Sequence, residues 1–188
     1  VACGEKNILF TNNDSVYETA ISLIQKGINI EAIIDNREEV DSKLVYEVEK
    51  NNIKIFKGYT VTSTTGYKKI NKVSIMQLSK DGQKVVGSRI NLSCDCLGIS
   101  GGWTPAVHLF TQSGGKLKFR DEDQVFIPNE YPSDQISIGS CNGDFELDDI
   151  IKNSTESLKE FLDIKETEFD SLEISCPKDN EIRNIWLL

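Results

Sequence analysis

The chain has 188 residues, 38% of them apolar, which is enough for one large or two small domains with a real core. Its formal charge of −9 is uneven: residues 1–97 carry 13 basic and 12 acidic groups, residues 98–188 carry 8 and 18. That distribution excludes a basic nucleic-acid footprint and argues against anionic membranes, and the sequence contains no signal peptide, transmembrane run or lipidation motif.

The opening stretch, Asn7 to Asp35, reads as a βαβ unit. Asn7-Ile8-Leu9-Phe10-Thr11 is too short for a free helix and rich in strand formers. A helix follows from Val16 to Lys26, with Val16, Ala20, Leu23 and Ile24 on one face. Asp14 or Ser15 can cap its start, and Gly27 sits where a left-handed residue ends a helix. Ile30 to Ile34 is the second strand, expected to run parallel to the first, and Asp35 stands at its end. This is the outline of a dinucleotide fold, in which an acid there can hold a ribose. The turn, however, reads T-N-N-D-S. It lacks the glycines that let backbone approach a pyrophosphate, and Asp14 would place negative charge beside phosphate. The framework reading is favoured over a bound dinucleotide at this turn.

A short helix is predicted over Ser42 to Asn51 and a third parallel strand over Ile53 to Phe56. After an extended run, Tyr59 to Thr65, the strands Lys72–Leu78 and Val85–Leu92 flank the hairpin signal Asp81-Gly82. Cys94 to Ile99 is another strand, broken by Ser100-Gly101-Gly102-Trp103-Thr104-Pro105, and Pro105 opens a short helix over Ala106 to Thr111. Phe119, Val125 and Phe126 read as loop anchors or a short strand. Gln135 to Gly139 reads as a strand, and Leu147 to Leu162 as a helix with one broad apolar face. The last stretch is acidic and ends in an apolar Trp-Leu-Leu run, which normally continues or docks.

The five cysteines are Cys3, Cys94, Cys96, Cys141 and Cys176, an odd number spread too thinly for a disulfide framework. One histidine cannot complete a zinc cluster with thiols so scattered, so no metal site is expected. Free, partly buried thiols point to a reducing, cytoplasmic setting. His108, between Val107 and Leu109, has no triad partner nearby in sequence and reads first as a packing or interface residue.

The run C-D-C-L-G-I-S-G-G-W-T-P-A-V-H-L-F, Cys94 to Phe110, continues as T-Q-S-G-G-K-L-K-F. It closely resembles the alpha subunit of heterotetrameric sarcosine oxidase, within the pyridine nucleotide-disulfide oxidoreductase-like superfamily. The opening V-A-C-G-E-K-N-I-L-F-T-N-N-D-S-V-Y is similar to that subunit's central domain, and G-S-C-N-G-D-F, Gly139 to Phe145, to its late strand-and-turn element. The resemblance implies an α/β, Rossmann-like parallel βαβαβ domain with an antiparallel hairpin layer, plus part of a second dinucleotide-type domain. The divisions it implies are 1–97 for the central NAD/FAD-binding-like domain and 98–162 for a segment returning to a flanking dinucleotide domain. Residues 163–188 would be an acidic linker to an absent C-terminal domain. The strand before S-G-G-W-T-P is expected to return to a sheet begun by a missing N-terminal segment.

The parent implied is a flavoenzyme that oxidises sarcosine with oxygen, giving glycine, hydrogen peroxide and a one-carbon unit passed to tetrahydrofolate. It would hold NAD in alpha, FAD in beta and covalent FMN at the alpha–beta interface. Because the chain starts at Val1 without Met and lacks a glycine-rich fingerprint, it reads as an excised middle portion. No cofactor is then expected in it alone, no catalytic residue is assigned, and its partners are the other subunits, beta especially. By the same resemblance, Thr104, His108 and Lys116 lie near the interface and FMN. Gly101 and Gly102 allow close passage of a cofactor. Asn142, Gly143 and Asp144 are candidates for NAD contact in the whole protein, while an Asp at that place also suits a helix cap. The alternative is a stand-alone NAD/FAD-binding or protein-interaction module without amine oxidase chemistry.

Overall fold

The computed structural model describes residues 4–40, 42–132 and 134–163. They form two compact units that divide between Gly102 and Trp103.

The first unit is built on a four-stranded parallel sheet. Its strands are β1 (Asn7–Thr11), β2 (Ile30–Asp35), β3 (Lys54–Lys57) and a later strand, Cys96–Ser100, in the spatial order β3-β2-β1 and then Cys96–Ser100. The helices α1 (Ser15–Gln25) and α2 (Lys43–Lys50) connect the first three strands. Gly27, at φ +76°, ends α1 and donates its N–H to the Ile24 carbonyl at 2.8 Å. Ser42 caps α2, its hydroxyl accepting from the Val45 N–H at 3.3 Å.

Strand alternation sorts the core onto two faces. Leu9 and Ile33 point to the helix side, where they meet Val16, Tyr17, Ala20, Val45 and Val48. Ile8, Phe10, Ala32 and Ile34 point the other way, onto Phe56, Val73, Ile75 and Cys94. That second face is covered by an antiparallel meander of β4 (Tyr59–Gly66), β5 (Ile70–Leu78) and β6 (Val85–Ser93). The extended Tyr59 run is thus a full strand of the layer. Asp81-Gly82 makes the predicted hairpin, with Gly82 at φ +71° and its N–H on the Ser79 carbonyl at 2.8 Å.

The strand expected to join a sheet begun by a missing N-terminal segment joins the first unit's own sheet instead. The strand before S-G-G-W-T-P is β7 (Cys96–Ser100), and it pairs in parallel with β1, Asn7 opposite Cys96 through Thr11 opposite Ser100. It completes the first unit's own sheet and does not leave for another. The reason is spatial: β1 has one edge taken by β2, and its other edge requires a partner that local sequence does not supply. β7 consequently lies whole within the first unit, whose described residues run to Gly102.

The second unit contains α3 (His108–Gln112), the hairpin of β8 (Lys116–Arg120) and β9 (Val125–Glu130), a 3₁₀ turn at Gly139–Asn142, and α4 (Leu147–Phe161). Phe119 and Phe126 face each other across the hairpin with ring centroids 5.1 Å apart, and Phe110 meets Tyr131 edge-on at 5.0 Å. The strand expected over Gln135 to Gly139 is not formed. Ile138 is extended, but no ladder pairs it among the described residues, and Gly139 turns at φ +65° into the 3₁₀ turn. Helix α4 has the predicted extent, yet it buries none of its residues, and Leu147, Leu158 and Phe161 are exposed. The acidic segment beyond residue 163, its apolar end, Cys3 and Cys176 lie outside the described residues.

Candidate functional site

The polar centre of the first unit lies at the carboxyl ends of β1, β2 and β7, where nucleotide folds of this topology bind their ligands. Four side chains meet there out of water. Asp35, 0% exposed, accepts four hydrogen bonds. Its Oδ1 takes the Arg37 N–H at 2.9 Å and Nε at 3.0 Å, and its Oδ2 takes Arg37 Nη2 and the Tyr17 hydroxyl, both at 2.8 Å. Arg37 Nη2 also reaches Asp14 Oδ1 at 2.8 Å.

The electrostatics follow from burial. Loss of water opposes the charge on Arg37, but the hydrogen bonds and charges of Asp35 and Asp14 outweigh it, and the guanidinium is held above its ordinary range. Burial, with the adjacent Asp35 charge and its hydrogen bond, pushes the Tyr17 phenol far above its ordinary value. Asp14 therefore does not cap α1, which has no side-chain cap, because its carboxylate is turned to Arg37.

The β1–α1 turn is closed by side chains in place of glycine. Asn12, Asn13 and Asp14 are all buried. Asn13 Nδ2 donates to the Ser100 carbonyl at 3.1 Å, and its Oδ1 accepts from the Ser15 N–H at 3.1 Å and hydroxyl at 2.5 Å. Thr11 Oγ1 donates to the Asn13 carbonyl at 2.9 Å. Sequence reasoning singled out Asp14 and Asp35 and missed Arg37 and Tyr17. The signal was present: two acids converging on one sheet edge require a cation, and Arg37 follows Asp35 by two residues.

The residues singled out by resemblance are divided between the units. Gly101 and Gly102 follow β7 in the first unit; a Cβ on Gly101 would meet nothing within 4 Å, and Gly102 sits at φ +95°. The others belong to the second unit. Thr104 is exposed before α3, and His108 is an exposed first residue of α3 whose carbonyl accepts from Thr111 at 2.9 Å. Lys116 pairs with Glu130 at 2.6 Å on the surface of the hairpin. Neither His108 nor Lys116 is buried against its neighbours, so no packing role for His108 is visible in its own unit.

Asn142, Gly143 and Asp144 do form one built turn. Tyr131 donates to Asn142 Oδ1 at 3.1 Å, and Arg120 Nη2 donates to the Gly143 carbonyl at 2.7 Å. Gly143 is at φ +89°, and a Cβ there would lie 2.8 Å from both Arg120 Nη2 and Ile127 Cγ2. Asp144 Oδ1 accepts from Asn153 at 3.1 Å, while its Oδ2 is buried with no hydrogen-bond partner among the described residues. A buried acceptor left over in this way fits a ligand hydroxyl. Among the described residues no three His, Cys, Asp or Glu side chains are placed to hold a metal ion. Cys94 and Cys141 are free thiols, and burial, then the Asp95 charge, pushes the Cys94 thiol up, away from nucleophilic use.

No protein-family model matches the chain. Among curated proteins it is similar to the sarcosine oxidase alpha subunit of Corynebacterium sp. (strain U-96), 28% identical over 143 residues, which covers 76% of this chain and 15% of that protein. It is 26% identical over 127 residues to the alpha subunit from Rhizobium meliloti (strain 1021), covering 68% and 12%. The chain thus spans about a seventh of the length of these relatives. Among solved structures it resembles a thioredoxin reductase from T. acidophilum (TM-score 0.55, 18% identity, 84% of this chain and 52% of that one). It also resembles a flavoprotein disulfide reductase from Escherichia coli (TM-score 0.57, 14% identity, 85% and 36%). These likenesses show the fold alone: a Rossmann-like α/β architecture.

Proposed function

We propose, from a chain similar to the alpha subunit of sarcosine oxidase, that this protein is the central portion of such a subunit, a framework and interface part of an amine-oxidising flavoenzyme. The observation that carries the reading is the 28% identity maintained over 76% of the chain. In this reading the parent oxidises sarcosine with oxygen to glycine, hydrogen peroxide and a folate-linked one-carbon unit, in the cytoplasm. It does so with NAD, FAD and covalent FMN, and with the beta subunit as principal partner. The bound flavin supplies removal of two electrons from the N-methyl amine and their transfer to oxygen.

The chain's own contribution is positional. The second unit would meet a dinucleotide through the Asn142–Asp144 turn, where the Asp144 Oδ2 accepts a ribose hydroxyl and Gly143 supplies the left-handed backbone of the turn, packed against Arg120 and Ile127. Arg120 fixes that turn through the Gly143 carbonyl. Thr104, His108 and Lys116, all exposed, would face the partner subunit and its FMN. No membrane role is proposed; no helix among the described residues is long and apolar enough to cross one.

Two measurements test this. Affinity capture from cells expressing the beta subunit should retain a flavin-bearing protein on the 188-residue chain, and the purified chain alone should release no peroxide from sarcosine. Failure to retain a flavin-bearing partner, or peroxide release by the chain alone, overturns it.

A further inference from the structure

We infer that Arg37 is a built-in occupant of the first unit's nucleotide crevice: its guanidinium stands between Asp35 and Asp14, where a dinucleotide would enter a fold of this topology, and excludes one. The inference rests on the first unit's geometry alone, not on the sarcosine oxidase reading.

Three observations converge. A carboxylate offers about four lone-pair sites, and all four of Asp35 are engaged, three by Arg37 and one by Tyr17, so the strand-end acid has no acceptor left for a ribose hydroxyl. The turn that would bind pyrophosphate with backbone N–H groups is filled by the buried side chains of Asn12, Asn13 and Asp14, and the N–H groups of Asn13 and Ser15 are turned inward to Thr11 Oγ1 and Asn13 Oδ1. The cluster of two carboxylates and one guanidinium carries a net negative charge, which repels phosphate in a site shielded from water. A nucleotide-binding fold has here become self-contained, with a cationic side chain doing inside the protein what a ligand does in related topologies.

The test is chemical rescue in the full chain. Arg37→Ala is expected to lower the thermal midpoint by several degrees. Guanidinium at about 20 mM, where its general denaturing effect is small, should restore part of that loss saturably. Sodium chloride at equal ionic strength should not, and the wild-type midpoint should not rise with guanidinium. The neutral triple variant Asp14→Asn/Asp35→Asn/Arg37→Gln, which removes both carboxylates along with their cation, should not respond to guanidinium. Wild type titrated with NAD, NADP or FAD should show no binding that Asn13→Ala abolishes. Rescue with this selectivity supports the inference. An Arg37→Ala chain indifferent to guanidinium, or dinucleotide binding lost on substitution at the turn, overturns it.

Discussion

Asn13 and Ser100, 87 residues apart in sequence, are joined by an amide-to-carbonyl hydrogen bond of 3.1 Å that ties the β1–α1 turn to the end of β7. The same amide also serves Asn12 Oδ1 and the Ser15 backbone and hydroxyl, so one short side chain holds the carboxyl edge of the sheet together. Asn13→Ala would leave several buried polar groups without their partner. The expected loss is about 2–3 kcal/mol, read as a lower urea midpoint with an unchanged slope. A variant within about 0.5 kcal/mol of wild type would show that the turn is held by other contacts.

Tyr17→Phe removes one donor from the buried Asp35 and should destabilise by about 1–3 kcal/mol. It should also change the alkaline limit of stability. The folded phenol titrates above its unfolded value of about 10, so the folded state keeps a proton that the unfolded state releases. The stabilisation is fully present below that pH and lost as pH rises beyond it. Denaturation curves between about pH 9 and pH 11.5 should therefore fall more steeply for wild type than for Tyr17→Phe.

Two glycines in the S-G-G and N-G-D motifs should respond differently to alanine. Gly143 combines left-handed backbone with a Cβ position 2.8 Å from Arg120 and Ile127, and Gly143→Ala should destabilise the second unit by about 1–3 kcal/mol. Gly101 has neither restraint, and Gly101→Ala should leave the melting curve of the chain unchanged. Calorimetry on both variants checks the contrast.

Ile33 and Ile34 are adjacent and fully buried on opposite faces of the sheet. Alanine at either should cost about 2–5 kcal/mol. Their effects should be nearly additive in the double variant if the sheet separates the two cores, with departures above about 0.5 kcal/mol indicating coupling through it.

The parts of this fold legible in sequence are those specified locally. Asn7 to Asp35 reads correctly because strand, turn, helix and second strand each carry their own signal, and Asp81-Gly82 marks its hairpin because the turn chemistry is confined to two residues. The sheet membership of β7 is set by an open strand edge ninety residues away, which no window around Cys96 can show. Gln135 to Gly139 has the composition of a strand but finds no ladder among the described residues, and composition cannot supply one. Asp35 was legible by position, whereas its partners were not: Tyr17 falls inside the predicted helix but outside the apolar face read for it, and its hydroxyl is committed only once α1 packs on β2.

The place of β7 beside β1 also fixes when the first unit can be completed on the ribosome. Until residues 96–100 have emerged, β1 presents a bare hydrogen-bonding edge, although every other strand of both its sheets is already made. Nascent chains ending before Ser100 would hold a nearly finished but adhesive intermediate, so chaperone dependence during synthesis should concentrate in that interval and fall away once β7 docks.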